Sequence, residues 1–187
     1  MFRKMMMIAV AAVLCTVAVA QAAAPQMGGM AGMDASKKPA SPAAKAEVKL
    51  GGAAISVDYS APSARGRAIF GGLVPYGQVW RTGANAATTL KTSADLEIGD
   101  LKVPAGTYTL YTLPTESGWQ LIINKQTGQW GTVYDEKQDL GRVPLKVGKT
   151  AAPVETFVID FQKTMGKMTQ MHLKWVGVDA SVEVEAK

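Results

Sequence analysis

Apolar and polar positions alternate with a period of two along most of the chain after Ile55. Ile55, Val57 and Tyr59 fall on one side and Ser56, Asp58 and Ser60 on the other, the pattern of a strand with one dry face and one wet face. The alternation returns at Leu96/Ile98 and Leu101/Val103, and Gly99-Asp100 between them suits a tight hairpin turn. Tyr108, Leu110 and Thr112 alternate with Thr109, Tyr111 and Leu113, bulky on both faces, which predicts a strand inside a sheet, ended by Pro114. Trp119/Leu121/Ile123 predict the next strand, and Val143/Leu145/Val147 another that Pro144 demotes to an edge. Phe157/Ile159/Phe161, Met171/Leu173/Trp175 and Val182/Val184 complete the series. About eight to ten short strands with Gly/Pro turns and no 3.6-residue period predict an all-β fold. The expected form is an antiparallel β-sandwich, jelly-roll-like or a related barrel. The segment from Ala64 to Gly83, rich in Arg and Gly, does not alternate and predicts a long loop with at most one helical turn.

The N-terminal part follows other rules. Arg3 and Lys4 precede the uncharged run Met5 to Ala20, and Ala20-Gln21-Ala22 places small residues where a signal peptidase reads them. Residues 1–22 are therefore expected to be a secretory signal peptide, and the mature protein to be periplasmic or extracellular. Cys15 is no lipid-attachment site, because bulky Leu14 precedes it. No later segment approaches the ~18 uninterrupted apolar residues of a membrane span. Residues 23–46 contain no aromatic or β-branched side chain, which predicts a disordered Ala/Pro/Gly/Met-rich tether ahead of a single domain over 47–187.

Charge and cysteine usage narrow the partners. The formal balance falls from +5 to +3 once Arg3 and Lys4 leave with the signal, and the remaining Lys and Arg are scattered, so no nucleic-acid partner is expected. The single Cys leaves too, which excludes disulfides and Cys-based zinc sites in the mature chain. No cofactor is implied.

Several long motifs carry a resemblance. Tyr59-Ser60-Ala61-Pro62-Ser63, Arg65-Gly66-Arg67, Ile69-Phe70-Gly71, Leu73-Val74-Pro75-Tyr76-Gly77 and Val79-Trp80-Arg81-Thr82-Gly83-Ala84-Asn85 come first. Pro104 to Pro114, Asn124-Lys125, Trp130-Gly131, Tyr134-Asp135 and Arg142-Val143 follow. Over most of Val48 to Val184 the chain resembles the exported bacterial family called domain of unknown function 2911. The resemblance implies an exported β-rich domain and supplies no catalytic residues. Gly141 and the Met-rich tail depart from the family pattern.

The candidate chemistry gathers in the long loop. Arg65, Arg67 and Arg81 supply guanidinium forks suited to carboxylate or phosphate, and Tyr76, Trp80 and Asn85 supply flat faces and an amide. Trp130, Tyr134 and Asp135 form a second polar-aromatic group that is a possible opposite wall. The favoured function is a non-catalytic ligand-binding or envelope-associated module for a small anionic or glycan ligand. The bland alternative pairs Arg81 with Asp135 or Asp58 and buries the aromatics. An envelope hydrolase is a second alternative, weakened because strand neighbours Asp135 and Glu136 would point to opposite faces and because no nucleophile pattern occurs. A Cu(I)-binding protein is a third, using the thioethers of Met27, Met30 and Met33 and the imidazole of His172. Met165, Met168 and Met171 repeat the spacing, but Met168 and Met171 differ in strand parity, so Met171 is expected in the core and His172 on the solvent side with Gln170 and Lys174.

Overall fold

The computed structural model describes residues 40–187. The segment expected to be a signal peptide and most of the expected tether, with Met27, Met30 and Met33, lie outside the described residues.

Among the described residues nine antiparallel strands account for the fold. They are β1 (Ala43–Leu50), β2 (Ala53–Ser60), β3 (Thr88–Thr92), β4 (Leu96–Ile98), β5 (Leu101–Val103), β6 (Gly106–Pro114), β7 (Trp119–Asn124), β8 (Asp139–Met165) and β9 (Met168–Ala186). Their order is β1-β2-β3-β6-β7-β8-β9-β4-β5. β8 changes partner along its length, pairing with β7 over Asp139–Leu145 and with β9 from Lys146 to Met165. It therefore carries the sheet from one layer into the other, and the inward residues of both layers share one hydrophobic core. The start of the long loop stitches β2 to the far end of β8: Ala64 N–H donates to Glu155 O at 2.8 Å and Phe157 N–H to Pro62 O at 2.8 Å. The all-β, antiparallel expectation holds.

Details differ from expectation for identifiable reasons. β1 starts at Ala43, so Ala43–Ala46, assigned to the tether, form its first half; an Ala/Lys run has no strand signal of its own and is ordered by its ladder to β2. β3, five residues long, was not anticipated. The apolar runs at 143–147 and 157–161 belong to one strand, as do those at 171–175 and 182–184; bulges at Lys149/Val154 and Val154/Val158 interrupt the alternation without ending pairing. The loop contains turns but no helical turn; among the described residues the one helical piece is the 3-10 turn Glu136–Gln138. No helix there is long and apolar enough to cross a membrane. Pro144 faces Gln120 on the stretch of β8 whose other side has no strand partner, the edge position that its missing N–H requires.

Candidate functional site

In the connection from β2 to β3, Ala61 to Ala87, the guanidinium groups of the first two arginines donate to backbone carbonyls, Arg67 within the loop and Arg65 outside it. Arg65 adopts a left-handed φ of 52°; its N–H donates to Glu155 Oε1 at 2.7 Å and its guanidinium to Ala40 O at 3.2 Å. Arg67 donates to Ala64 O at 3.0 Å and Ser63 O at 2.7 Å. Neither lines a cavity with the rest of the predicted group.

Trp80 extends the β3 side of β6. It exchanges both backbone hydrogen bonds with Thr112, at 2.8 and 2.9 Å, in the row that β3 leaves vacant. Neighbours on an extended segment face opposite ways, so the indole enters the core and the Arg81 side chain goes to the outer face. The Trp80 ring stacks on Trp175 at 5.7 Å and 17° and meets Phe157 edge-on at 5.1 Å. Its Nε1–H donates to Gly83 O at 3.2 Å. Much of the indole surface is therefore taken up by Trp175 and Phe157, while Trp80 still borders the cleft described below.

Arg81 has neither expected partner. Asp58 pairs with Lys91 at 3.1 Å, and Asp135 accepts Lys137 N–H at 3.0 Å as the cap of the 3-10 turn. Among the described residues no carboxylate lies within ion-pair distance of Arg81, and its Nε is buried without an acceptor. Its stem lies against Gly131, where a Cβ would collide with Arg81 Cδ and stand 2.7 Å from Asn85 O. Gly131 N–H holds that same carbonyl at 3.1 Å. The next residue, buried Thr82, sits at φ 53° and Asn85 at φ 59°. A β-branched residue there is strained, at a cost of about 1–3 kcal/mol. Thr88 Oγ1–H holds it in place by donating to Thr82 O at 2.8 Å.

The second predicted group does approach the first. A cleft of about 230 Å³ is lined by Arg81, Gly131, Thr132, Tyr111, Tyr134 and Leu73, among others. Tyr134 packs edge-on against Tyr111, ring centres 4.9 Å apart. Both hydroxyls are spent inside the fold. Tyr134 donates to Asp139 Oδ2 at 2.7 Å and accepts from Arg142 at 2.9 Å; Tyr111 donates to Val133 O at 2.7 Å and accepts from Gln129 at 3.1 Å. The cleft is thus bordered by the two tyrosines, whose hydroxyls are committed elsewhere, and by Arg81. Trp130 is 57% exposed beside Gly131; Tyr76 packs over Gly71 and borders a separate hollow with the β6–β7 turn; Asn85 reaches Ser41 O at 3.5 Å.

Tyr111, Asp139 and Arg142 were not anticipated. Arg142 bridges Glu136 at 2.7 Å and Asp139 at 3.0 Å, and Asn124 holds Asp139 Oδ1 at 2.9 Å. Asn124 and Arg142 stand in motifs that carried the resemblance, but no spacing rule links residues from β7, the 3-10 turn and β8. Asp135 and Glu136 are on that turn rather than on a strand, and the one caps it while the other pairs with Arg142.

His172 is the clearest reversal. It shares the outer face with Asp160, its cross-strand partner, yet it is only 7% exposed, and its Nδ1 lies 2.8 Å from Asp179 Oδ1. Parity was right and exposure was wrong, because β9 turns at Val176 (φ 48°) and brings Asp179 back to it. Met171 is buried in the core as expected. Among the described residues no three His, Cys, Asp or Glu side chains are grouped to hold a metal ion. A larger hollow of about 630 Å³, lined by Lys49, Ala54, Ser56, Lys91, Ser93 and Thr107, is an open trough over the outer faces of β1, β2, β3 and β6, and the predicted aromatics and arginines are absent from it.

Burial, and then the hydrogen bond to Asp139, push the Tyr134 hydroxyl up to about 12 from an ordinary 10.0. Burial also raises Tyr111. A group held neutral in the fold contributes stability that is complete below its unfolded value, so this contribution is full below pH 10.0 and is lost as pH climbs through about 12. Tyrosinate absorbance of the folded protein is expected to show a step near pH 12 that Tyr134→Phe removes; a Tyr134 titrating at its ordinary value would refute the buried network.

A family model described as "Protein of unknown function (DUF2911)" matches residues 41–184. No curated protein and no solved structure matches the chain.

Proposed function

The chain belongs to the DUF2911 family of proteins of unknown function; since the family names no activity, we propose from the site itself that this is an exported, non-catalytic binding module whose Arg81 cleft takes a small organic anion. The observation that carries the proposal is the state of Arg81: a guanidinium in a cleft, its Nε buried without an acceptor and no carboxylate beside it among the described residues. An unpaired buried donor is costly, and a carboxylate or phosphate on the ligand supplies the bidentate partner that the protein withholds. The tyrosine hydroxyls are already committed, so the walls offer ring surface, which suits an apolar or sugar-like body on the anion. A volume of about 230 Å³ is below the roughly 300–1,000 Å³ of drug-sized pockets, which favours a compact ligand or the end group of a longer one.

The hydrolase alternative loses its candidate carboxylates, since Asp135 and Glu136 serve the 3-10 turn and Arg142. Export is part of the proposal and is supported by the signal-like residues 1–22.

The test is calorimetric titration of the mature protein with a panel of small carboxylates and phosphates, alongside Arg81→Gln, which keeps the stem over Gly131 and removes the charge. At least one anion is expected to bind the parent protein and to lose about tenfold or more in affinity in the variant, with an unchanged melting temperature. A parent protein that binds nothing in the panel, or a variant that binds as well, overturns the reading.

A further inference from the structure

The β8–β9 hairpin ends in Lys163-Thr164-Met165-Gly166-Lys167-Met168, with no acidic residue. Met165 and Met168 stand directly opposite each other in the ladder, so their side chains leave the same face. They are 78% and 41% exposed, and Met165 is the most exposed large hydrophobic among the described residues. The tip is braced. Gly51 N–H donates to Gly166 O at 3.2 Å and Ala186 N–H to Lys167 O at 2.8 Å, which ties it to the β1–β2 turn and to the end of β9. Lys167 lays its stem over Gly51. Lys49, Lys163 and Lys167 are exposed, and among the described residues none has a carboxylate within ion-pair distance.

Two flexible thioether chains on a braced tip, with ammonium groups around them and no carboxylate in the turn, complement an anionic, deformable surface. We propose that the β8–β9 tip is a contact site for a lipid bilayer carrying anionic headgroups, with Met165 and Met168 entering the headgroup layer and Lys49, Lys163 and Lys167 meeting lipid phosphates. Long lysine stems let the charges stay at headgroup level while the apolar pair goes deeper. The contact is reversible rather than an anchor, because so small an apolar area and three charges fall far short of a spanning segment. Soft-metal binding fits the tip less well: the next thioether, Met171, is in the core, and His172 is buried against Asp179. A protein hot spot would call for aromatic or Arg anchors, which the tip lacks.

Flotation of the mature chain with vesicles tests this, comparing phosphatidylglycerol-containing with pure phosphatidylcholine vesicles at low and high salt. The expected result is binding to the anionic vesicles that falls at high salt and is about tenfold weaker on neutral ones. Lys163→Glu/Lys167→Glu and Met165→Ser/Met168→Ser are each expected to lose that binding while melting like the parent, since all four side chains lie outside the core. Absence of binding, or binding unchanged in both double variants, overturns the proposal; the latter would assign membrane affinity to another segment. Arg81→Gln is expected to float like the parent, so failure here and failure of the cleft reading are separable.

Discussion

Trp175→Ala is expected to destabilise the domain by about 3–5 kcal/mol, a large part of the roughly 5–15 kcal/mol that holds an ordinary domain together. The indole is 1% exposed. It stacks on Trp80, meets Phe157 and Phe70 edge-on at 5.9 and 6.2 Å, and donates Nε1–H to Glu155 O at 3.1 Å. Truncation leaves a cavity beneath the long loop and removes one of the two hydrogen bonds that Glu155 O accepts, the Ala64 N–H remaining. The loop hangs on this cluster through Phe70 and Trp80, so the cleft should loosen with the core. Urea unfolding followed by circular dichroism measures the loss. Trp130→Ala, at an exposed position, should stay within about 0.5 kcal/mol of the parent. A Trp175 loss no larger than that of Trp130 would show that the cluster does not hold the layers.

The second large effect is expected from one methyl group. Gly131→Ala places a Cβ against Arg81 Cδ and 2.7 Å from Asn85 O. The first atom belongs to a flexible chain and can move; the second is backbone, held by Gly131 N–H. The substitution therefore either drives Arg81 out of the cleft or parts the 85–131 backbone contact. Overpacking of this kind costs about 1–3 kcal/mol, and any anion affinity that depends on Arg81 should fall with it. Melting temperature and anion titration on the same sample separate the two. If stability drops while affinity holds, Arg81 is not the ligand's partner.

How far the sequence carried depends on whether a signal was local. β2, β4, β5, β6 and β7 were legible because each buries one or both faces and shows it in two-residue alternation. Ala43–Ala46 and Thr88–Thr92 were illegible because their order comes from ladder partners, not from their own side chains. The long loop was correctly identified and its contents partly misjudged. Arg65 and Arg67 stay exposed and donate to backbone carbonyls, that of Ala40 for the one and those of Ser63 and Ala64 for the other, and Trp80 pairs with Thr112, which no residue near it announces. Arg81, Tyr134 and the glycine between the two aromatic groups do converge, although their partners come from two other strands, Tyr111 from β6 and Asp139 and Arg142 from β8, and left no spacing to read. His172 shows the limit of parity: alternation assigns a face, whereas burial depends on what another part of the chain lays over that face.

The β4–β5 hairpin follows β3 in the chain but takes no place beside it. Leu96 and Ile98 pair instead with Ala186 and Val184, so a hairpin complete within a few residues must wait for the last strand to be made before it has a neighbour. Until then Leu96 and Ile98, buried in the finished core, lack the strand they pair with, and the hairpin has only the start of β8 beside it, where Leu101 lies over Gly141. Assembly of the second layer is thus scheduled by its latest member. A chain shortened at β9 would lose far more than the strand removed, because an element from the middle of the sequence would be left without a home.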